Sequence, residues 1–280
     1  MKPILFFLFL SVSALAQQTF YLKDKATENP IAYASIYNDK GTFKINSESD
    51  GSFVIPEEFK KETFIIESIG YETIETNLEN TVIFLEDKAE TLEEIIIIPR
   101  LGTKEIKIGN VNNENVISGY IGKYSEPYLI AKQINLDKNT EICFLKKLSI
   151  LTTSYKDNVN FKIKIFDSKD GKPNQLINDE DIIVETGKAN KIGKGRKSYS
   201  ISSIQLEEYN IKVPSEGFFI AVEWIINDHN LKENGCFPLI WREESKNNNG
   251  IFEFNYKRSQ WEILDNSINK DLLFEVILTN

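Results

Sequence analysis

The chain has 280 residues, 41% of them hydrophobic and 27% charged, with a formal net charge of -9 and a sequence pI of about 5.0. At roughly 100–200 residues per domain, this length fits one or two domains with ample apolar material for a core. The acidic balance argues against a general nucleic-acid binder, which needs a basic footprint to displace counterions from phosphate.

Residues 1–16 read as a secretory signal peptide. Lys2 supplies the positive charge, Ile4 to Val12 is almost wholly apolar, and Ala14-Leu15-Ala16 has the form of a cleavage site before Gln17. The apolar run is shorter than the ~20 residues that span a bilayer, and no later stretch approaches that length. No cysteine near the cleavage site could carry a lipid. The expected product is exported, without a transmembrane segment, to the periplasm or the outer cell surface. Export permits a disulfide between the two cysteines, Cys143 and Cys236. Their apolar neighbours, Ile142, Phe144 and Phe237, suit two buried free thiols as well, and both alternatives stand.

From residue 17 the chain reads as short strands separated by turns. Residues 18 to 24 make the first strand, and Asn29-Pro30 turns it. Ile31 to Tyr37 alternates, with Ala32, Ala34 and Ile36 as the core face. Asp39-Lys40-Gly41 signals a hairpin into a strand from Thr42 to Asn46. Ser49-Asp50-Gly51 turns the chain again, and Phe53 and Ile55 point one way. After Pro56-Glu57-Glu58, Phe64 and Ile66 alternate against Ile65 and Glu67. Thr73–Leu78 and Thr81–Leu85 complete the set. Strands this short, with turns every 8–12 residues, predict an all-β sandwich.

The order of these pieces resembles the carboxypeptidase-regulatory-like domain of exported bacterial proteins. The residues that carry the resemblance are Pro30-Ile31 with Ala32-Tyr33-Ala34-Ser35-Ile36, then Ser49-Asp50-Gly51-Ser52-Phe53, then Ile69-Gly70-Tyr71, then Val82 to Leu85. Ser49-Asp50 departs from that family's usual Thr-Asp, and Gly51 follows Asp50 directly where the family often spaces them. The resemblance covers about residues 19–86. It implies a seven-stranded, transthyretin-like sandwich without catalytic residues. Leu92-Glu93-Glu94 and Ile95 to Ile98 are similar to the stretch that follows this domain in TonB-dependent receptors, where it leads to a plug and barrel. Only about 180 residues follow here, too few for the many strands of such a barrel, so the transport function does not carry over. The first unit is therefore placed at residues 17–98.

Residues 99–117 read as a linker, rich in Asn and Lys (Lys104, Lys107, Asn110, Asn112, Asn113 and Asn115). Residues 118–280 read as a second, jelly-roll-like sandwich. Its predicted strands are Lys147–Thr153, Val159–Asp167, Ile182–Glu185, Ser198–Ile204, Gly217–Ile226, Pro238–Glu243, Gly250–Tyr256, Gln260–Leu264 and Leu272–Leu278. In the second of these, Val159, Phe161, Ile163 and Ile165 face inward. In the Gly217–Ile226 strand Phe219, Ala221, Glu223 and Ile225 alternate against Phe218, Ile220, Val222, Trp224 and Ile226, which predicts burial on both faces. Asp170-Gly171-Lys172-Pro173 is a turn.

No motif assigns an activity. His229, the single histidine, lies in the polar loop Asn227-Asp228-His229-Asn230 and reads as a solvated residue rather than a metal ligand, since zinc needs three or four protein ligands. No nucleophile elbow is present, and apolar neighbours raise a thiol's pKa at Cys143 and Cys236. Asp179-Glu180-Asp181 and Glu243-Glu244 are acidic clusters that read as charged loop tips, with calcium binding left open. Lys188 to Lys197, with Lys191, Lys194 and Arg196, reads as a solvated basic hairpin, the alternative being contact with an anionic glycan or lipid head group. Trp224 reads as core, whereas Trp241, Tyr256 and Trp261 fall on late strands where packing is commoner than a sugar platform.

No catalytic, cofactor or metal residue is assigned. The leading expectation is a non-catalytic cell-envelope protein with a binding or scaffolding role, its partner a glycan or an envelope protein. The alternatives are a glycan-active hydrolase with its site in the second domain, or an accessory subunit of an outer-membrane complex. Facing carboxylates in a cleft, about 5–9.5 Å apart, favour the hydrolase. A shallow aromatic patch on a sandwich face favours binding.

Overall fold

The computed structural model describes residues 18–88, 102–112, 114–123, 125–137, 143–188, 198–232, 235–245, 250–264 and 269–280. Residues 1–16, read as a signal peptide, the Ile95–Ile98 run and most of the Lys188–Lys197 segment lie outside these. The described residues are all-β, apart from one turn of 3-10 helix at Glu57–Phe59 that follows Pro56.

The first unit holds seven strands: β1 (Thr19–Asp24), β2 (Ser35–Asn38), β3 (Lys44–Asn46), β4 (Ser52–Val54), β5 (Phe64–Glu67), β6 (Ile74–Thr76) and β7 (Val82–Leu85). They form a three-stranded sheet, β4-β1-β7, and a four-stranded sheet, β3-β2-β5-β6. Alternation sets which side chains meet between them. Phe20 and Leu22, Ala34 and Ile36, Phe53 and Ile55, and Phe64 and Ile66 are all buried in one cluster with Ile83 and Leu85. The strand expected from Ile31 begins later, at Ser35. Tyr33 has a positive φ of 57°, and Ala34 N–H donates to the Ser47 hydroxyl rather than to a ladder.

The second unit begins with β8 (Glu105–Gly109), β9 (Val116–Gly122), β10 (Tyr128–Ile134) and β11 (Cys143–Thr153). It continues through β12 (Asn160–Lys169), β13 (Lys172–Leu176), β14 (Ile182–Glu185), β15 (Ser200–Gln205) and β16 (Lys212–Val213). It then runs through β17 (Phe218–Trp224), β18 (Leu231–Lys232), β19 (Gly235–Glu244) and β20 (Phe252–Asn255). It closes with β21 (Gln260–Ile263), β22 (Lys270–Leu272) and β23 (Phe274–Thr279).

One of its sheets runs β13-β12-β17-β10-β20-β21, with β14 also on β12. The other runs β18-β19-β11-β23-β8, with β15 and β16 on β11 and β9 and β22 on β19. Phe161, Ile163, Ile165, Ile220, Val222 and Trp224 from the first sheet meet Leu148, Ile150, Ile240, Phe274, Val276 and Leu278 from the second. Strand β8 falls inside the stretch read as a linker. It pairs antiparallel with β23, from Glu105↔Thr279 to Gly109↔Glu275.

Candidate functional site

The two faces of β17 explain how the units meet. Phe218, Ile220, Val222 and Trp224 point into the sandwich. Phe219, Ala221 and Glu223 point out of it. An outward strand position is ordinarily solvated and polar, yet all seven residues of β17 are buried. The first unit is seated over the Glu223 end of that face.

Glu223 is the centre of the contact. Its Oε1 accepts from the Ser35 hydroxyl at 2.5 Å and lies 2.9 Å from Lys44 Nζ, both contributed by the first unit. Its Oε2 lies 2.9 Å from Lys164 Nζ on β12. The Tyr256 hydroxyl reaches Oε1 at 3.4 Å. Burial pushes the Glu223 carboxyl up, but Lys164, Lys44 and Lys162 together outweigh it and hold the group well below the usual carboxylate range. Burial first, then Glu223, drive the Tyr256 phenol well above its ordinary value.

Around this centre the seal is polar and specific. Asn46 N–H donates to Ile226 O at 2.7 Å, and Ile226 N–H donates to Asn46 Oδ1 at 2.9 Å. Glu48 takes the Asn227 amide at 2.7 Å and the Asp228 N–H at 3.1 Å. The rings of Tyr37 and Tyr256 lie 4.9 Å apart, and Tyr37 donates its hydroxyl to Glu67 at 2.6 Å. Gly41, at φ +62°, lies so close to the second unit that a Cβ there would sit 2.4 Å from Lys257 N.

An open cleft of about 770 Å³ flanks this seal. Glu67, Tyr71 and Lys88 line one side, and Lys162, Lys164, Leu176, Asn178, Asp179 and Asp181 line the other. Lys162 Nζ lies 2.7 Å from Asp181 Oδ2.

Farther along the same outer face lies an aromatic cluster, in which Phe219 and Phe252 are buried and Phe166, Phe254 and Trp261 are partly exposed. Paired residues share a face, so Phe166↔Phe219, Ala131↔Phe252, Phe254↔Trp261 and Phe252↔Ile263 stand together. Trp261 is partly buried, with Phe166 edge-on at 5.4 Å and Phe254 tilted at 5.4 Å. Leu176 and Ile263 at its margins are 38% and 47% exposed.

A second groove of about 900 Å³ lies at another part of the junction. It is lined by Thr42 of the first unit and Tyr120, Tyr128, Glu253 and Arg258 of the second. Burial raises the Glu253 carboxyl. The Tyr128 hydroxyl is committed to Ile121 O at 2.6 Å, and the Tyr120 hydroxyl accepts from Arg242 at 2.5 Å.

No family model matches this sequence. No curated protein matches it either. Among solved structures it is similar, with TM-score 0.41 and 11% identity, to the cysteine protease and lectin-like domains of Cwp84, a surface layer associated protein of Clostridium difficile. The match covers 89% of this chain and 58% of that one. So remote a likeness bears on neither activity nor ligand.

The residues singled out in the sequence are scattered by the fold. His229 Nε2 bonds the Asp157 carbonyl at 3.0 Å in an exposed loop. Cys143 and Cys236 are buried free thiols with no disulfide between them. Cys236 donates to Ile225 O at 3.0 Å, and burial pushes it up to about 12. Among the described residues no group of three or more His, Cys, Asp and Glu is placed to hold a metal.

Glu243 accepts from Asn110 at 2.8 Å. Trp224 is core, donating to Pro238 O at 2.7 Å. Trp241 is 7% exposed and donates to the Thr153 hydroxyl at 3.0 Å. Tyr256 belongs to the junction, and Trp261 to the outer aromatic face.

Sequence reading missed Glu223, Lys44 and Lys164. The available signal was Glu223 itself, a lone carboxylate in the middle of an otherwise apolar strand. A buried charge needs a partner, and here one partner, Lys164, stands on the neighbouring strand of the same sheet and the other, Lys44, comes from the first unit.

Proposed function

We propose that this is an exported, non-catalytic cell-envelope protein whose second sandwich binds a glycan on its outer face, beside the docked first unit. The observation that carries the reading is the partly exposed aromatic group of Trp261, Phe166 and Phe254, bordered by exposed Ile263 and by exposed Leu176, which also lines a cleft rich in hydrogen-bonding groups. Sugars present apolar C–H faces and a rim of hydroxyls, and aromatic rings beside polar side chains complement both.

Three carboxylates in or beside the cleft are engaged structurally. Glu67 accepts from Tyr37, Asp181 pairs with Lys162, and Glu223 is sealed between two lysines. That favours binding over glycoside hydrolysis, which needs two carboxyl groups free to exchange protons or attack. The resemblance of residues 19–86 to a carboxypeptidase-regulatory-like domain supports an accessory role for the first unit, here as a brace that fixes one border of the binding face.

The test is a glycan array probed with the exported form of the chain and with Trp261→Ala. Wild type is expected to bind a discrete set of glycans, and the variant to lose them while keeping its thermal midpoint. A wild-type protein that binds nothing, or a variant that binds equally, refutes the reading.

A further inference from the structure

The first unit carries a second surface, remote in character from the aromatic face. Strands β6 and β7 are the terminal strands of their two sheets. Among the described residues each has one paired side and one unpaired side. The two segments meet again only beyond β7, where Glu72 N–H donates to Glu86 O and Lys88 N–H to Gly70 O, both at 2.8 Å. The unpaired stretches border a common groove of about 540 Å³.

The phase of the β1–β7 ladder is fixed by two bonds. Tyr21 N–H donates to Thr81 O at 2.8 Å, and Lys25 N–H donates to Leu85 O at 2.9 Å. With the parallel register Tyr21↔Val82 through Asp24↔Leu85, residues 81, 83 and 85 serve β1. Val82 and Phe84 therefore direct their N–H and C=O groups to the open edge. Backbone groups left this way are a template for another strand.

The side chains of the same two residues are apolar and exposed, Val82 at 37% and Phe84 at 45%, and Tyr21 beside them is 40% exposed. Native edges are ordinarily protected by charge, proline or a bulge. Val82–Leu85 has none of these. The groove beside the edge holds two carboxylates, Glu75 and Glu79, and no basic residue.

We propose that the β7 edge is a docking site for an extended segment of a partner protein that adds as a strand beside Val82–Leu85. The segment would alternate apolar residues, to cover Val82 and Phe84, and carry Lys or Arg toward Glu75 and Glu79. Main-chain bonds to Val82 and Phe84 supply the pairing, and the carboxylates select a basic partner.

The experiment uses the chain without its signal segment and two synthetic probes. One is the blocked peptide Lys-Val-Thr-Val-Thr-Val-Lys, and the other is the same peptide with Glu at both ends. Backbone amide exchange is followed by NMR. The Lys-flanked peptide is expected to slow exchange at Val82 and Phe84 at least ten-fold, and the Glu-flanked peptide to leave both unchanged.

Val82→Pro removes an N–H that β1 does not use, so it should abolish the effect at Phe84 while Ile83 and Leu85 stay protected. If Val82→Pro disturbs Ile83 and Leu85, the double variant Glu75→Lys, Glu79→Lys decides instead, by losing the Lys-flanked peptide and gaining the Glu-flanked one. The proposal is overturned by no protection at peptide concentrations up to about 1 mM, the weak end of specific binding. It is overturned equally by charge-independent binding, or by a dimer of the chain alone that Val82→Pro dissolves, which would assign the edge to a second copy.

Discussion

Replacing Glu223 by glutamine removes one negative charge and almost no volume. The carboxyl is 1% exposed, Lys44 opposite it is 2% exposed and Lys164 is 17% exposed. Two ammonium groups then face each other across a neutral amide, with little water to screen them. Removing one partner of a buried ion pair costs about 3–5 kcal/mol, and the Ser35 hydroxyl bond adds little to that loss because it can persist to the amide oxygen. Urea unfolding followed by tryptophan fluorescence should show a loss in this range.

Amide exchange should locate the loss at the junction, with the Asn46 and Ile226 amides that cross between the units deprotected first. The pH dependence has a definite sign. Glu223 is depressed in the folded state, so its contribution is present above the unfolded value of about 4.3 and disappears as pH falls through the folded pKa. Wild type should weaken in acid, and Glu223→Gln should lack that part of the slope. Replacing all three groups, as Lys44→Met, Lys164→Met and Glu223→Leu, should regain much of the stability, because apolar isosteres escape the desolvation cost. A Glu223→Gln loss below about 1 kcal/mol, the value of a surface pair, would refute the view that this carboxylate holds the units together.

Other sites respond in ways set by their packing. Phe161→Ala empties a fully buried site between the two large sheets and should cost about 3–5 kcal/mol in urea unfolding. Gly41→Ala combines a positive φ with a 2.4 Å approach to Lys257 N. It should destabilise by more than about 1 kcal/mol, with the change in exchange centred on Tyr256 and Lys257. Cys143 and Cys236 are unbridged, so reductant should leave the thermal midpoint unchanged. With Cys236 pushed up to about 12, iodoacetamide at pH 8 should label it only after unfolding. A reductant-sensitive midpoint would mean that the thiols are bridged in solution.

Some elements were legible because one rule governed them. The alternation of Val159, Phe161, Ile163 and Ile165 needs only a single buried face, and all four are fully buried. Phe53 with Ile55, and Phe64 with Ile66, obey the same rule in the first unit. Strands β8, β9 and β10 were not legible. Residues 105–109 alternate Lys and Glu with Ile on a mostly exposed edge strand, a pattern that composition alone reads as linker.

Strand β9 contains Gly119 and Gly122, residues that weaken a strand pattern. In the fold, Gly122 lies against the core tryptophan: a Cβ there would sit 2.5 Å from Trp224 Cγ. The sequence reads Asp170-Gly171-Lys172-Pro173 as a turn; only Asp170-Gly171 turns, and Lys172–Leu176 pair back on β12 with a bulge. That pairing depends on where the partner strand lies.

By itself the sequence determined the all-β class and the inward faces of the strongest strands, because alternation and turn chemistry are local. The candidate site was a different matter. Trp261 could be placed on a late strand but not on an outer aromatic face, since Phe166, Phe219 and Phe254 join it only through pairings across β12, β17, β10, β20 and β21. Glu223 on β17 and Lys44 on β3 are separated in the chain by β4 to β16, and nothing local in either segment announces the other. Their contact, and the cleft beside it, were decided by the docking of one sandwich on the other, where burial makes an otherwise unremarkable glutamate hold a lysine from a distant part of the chain.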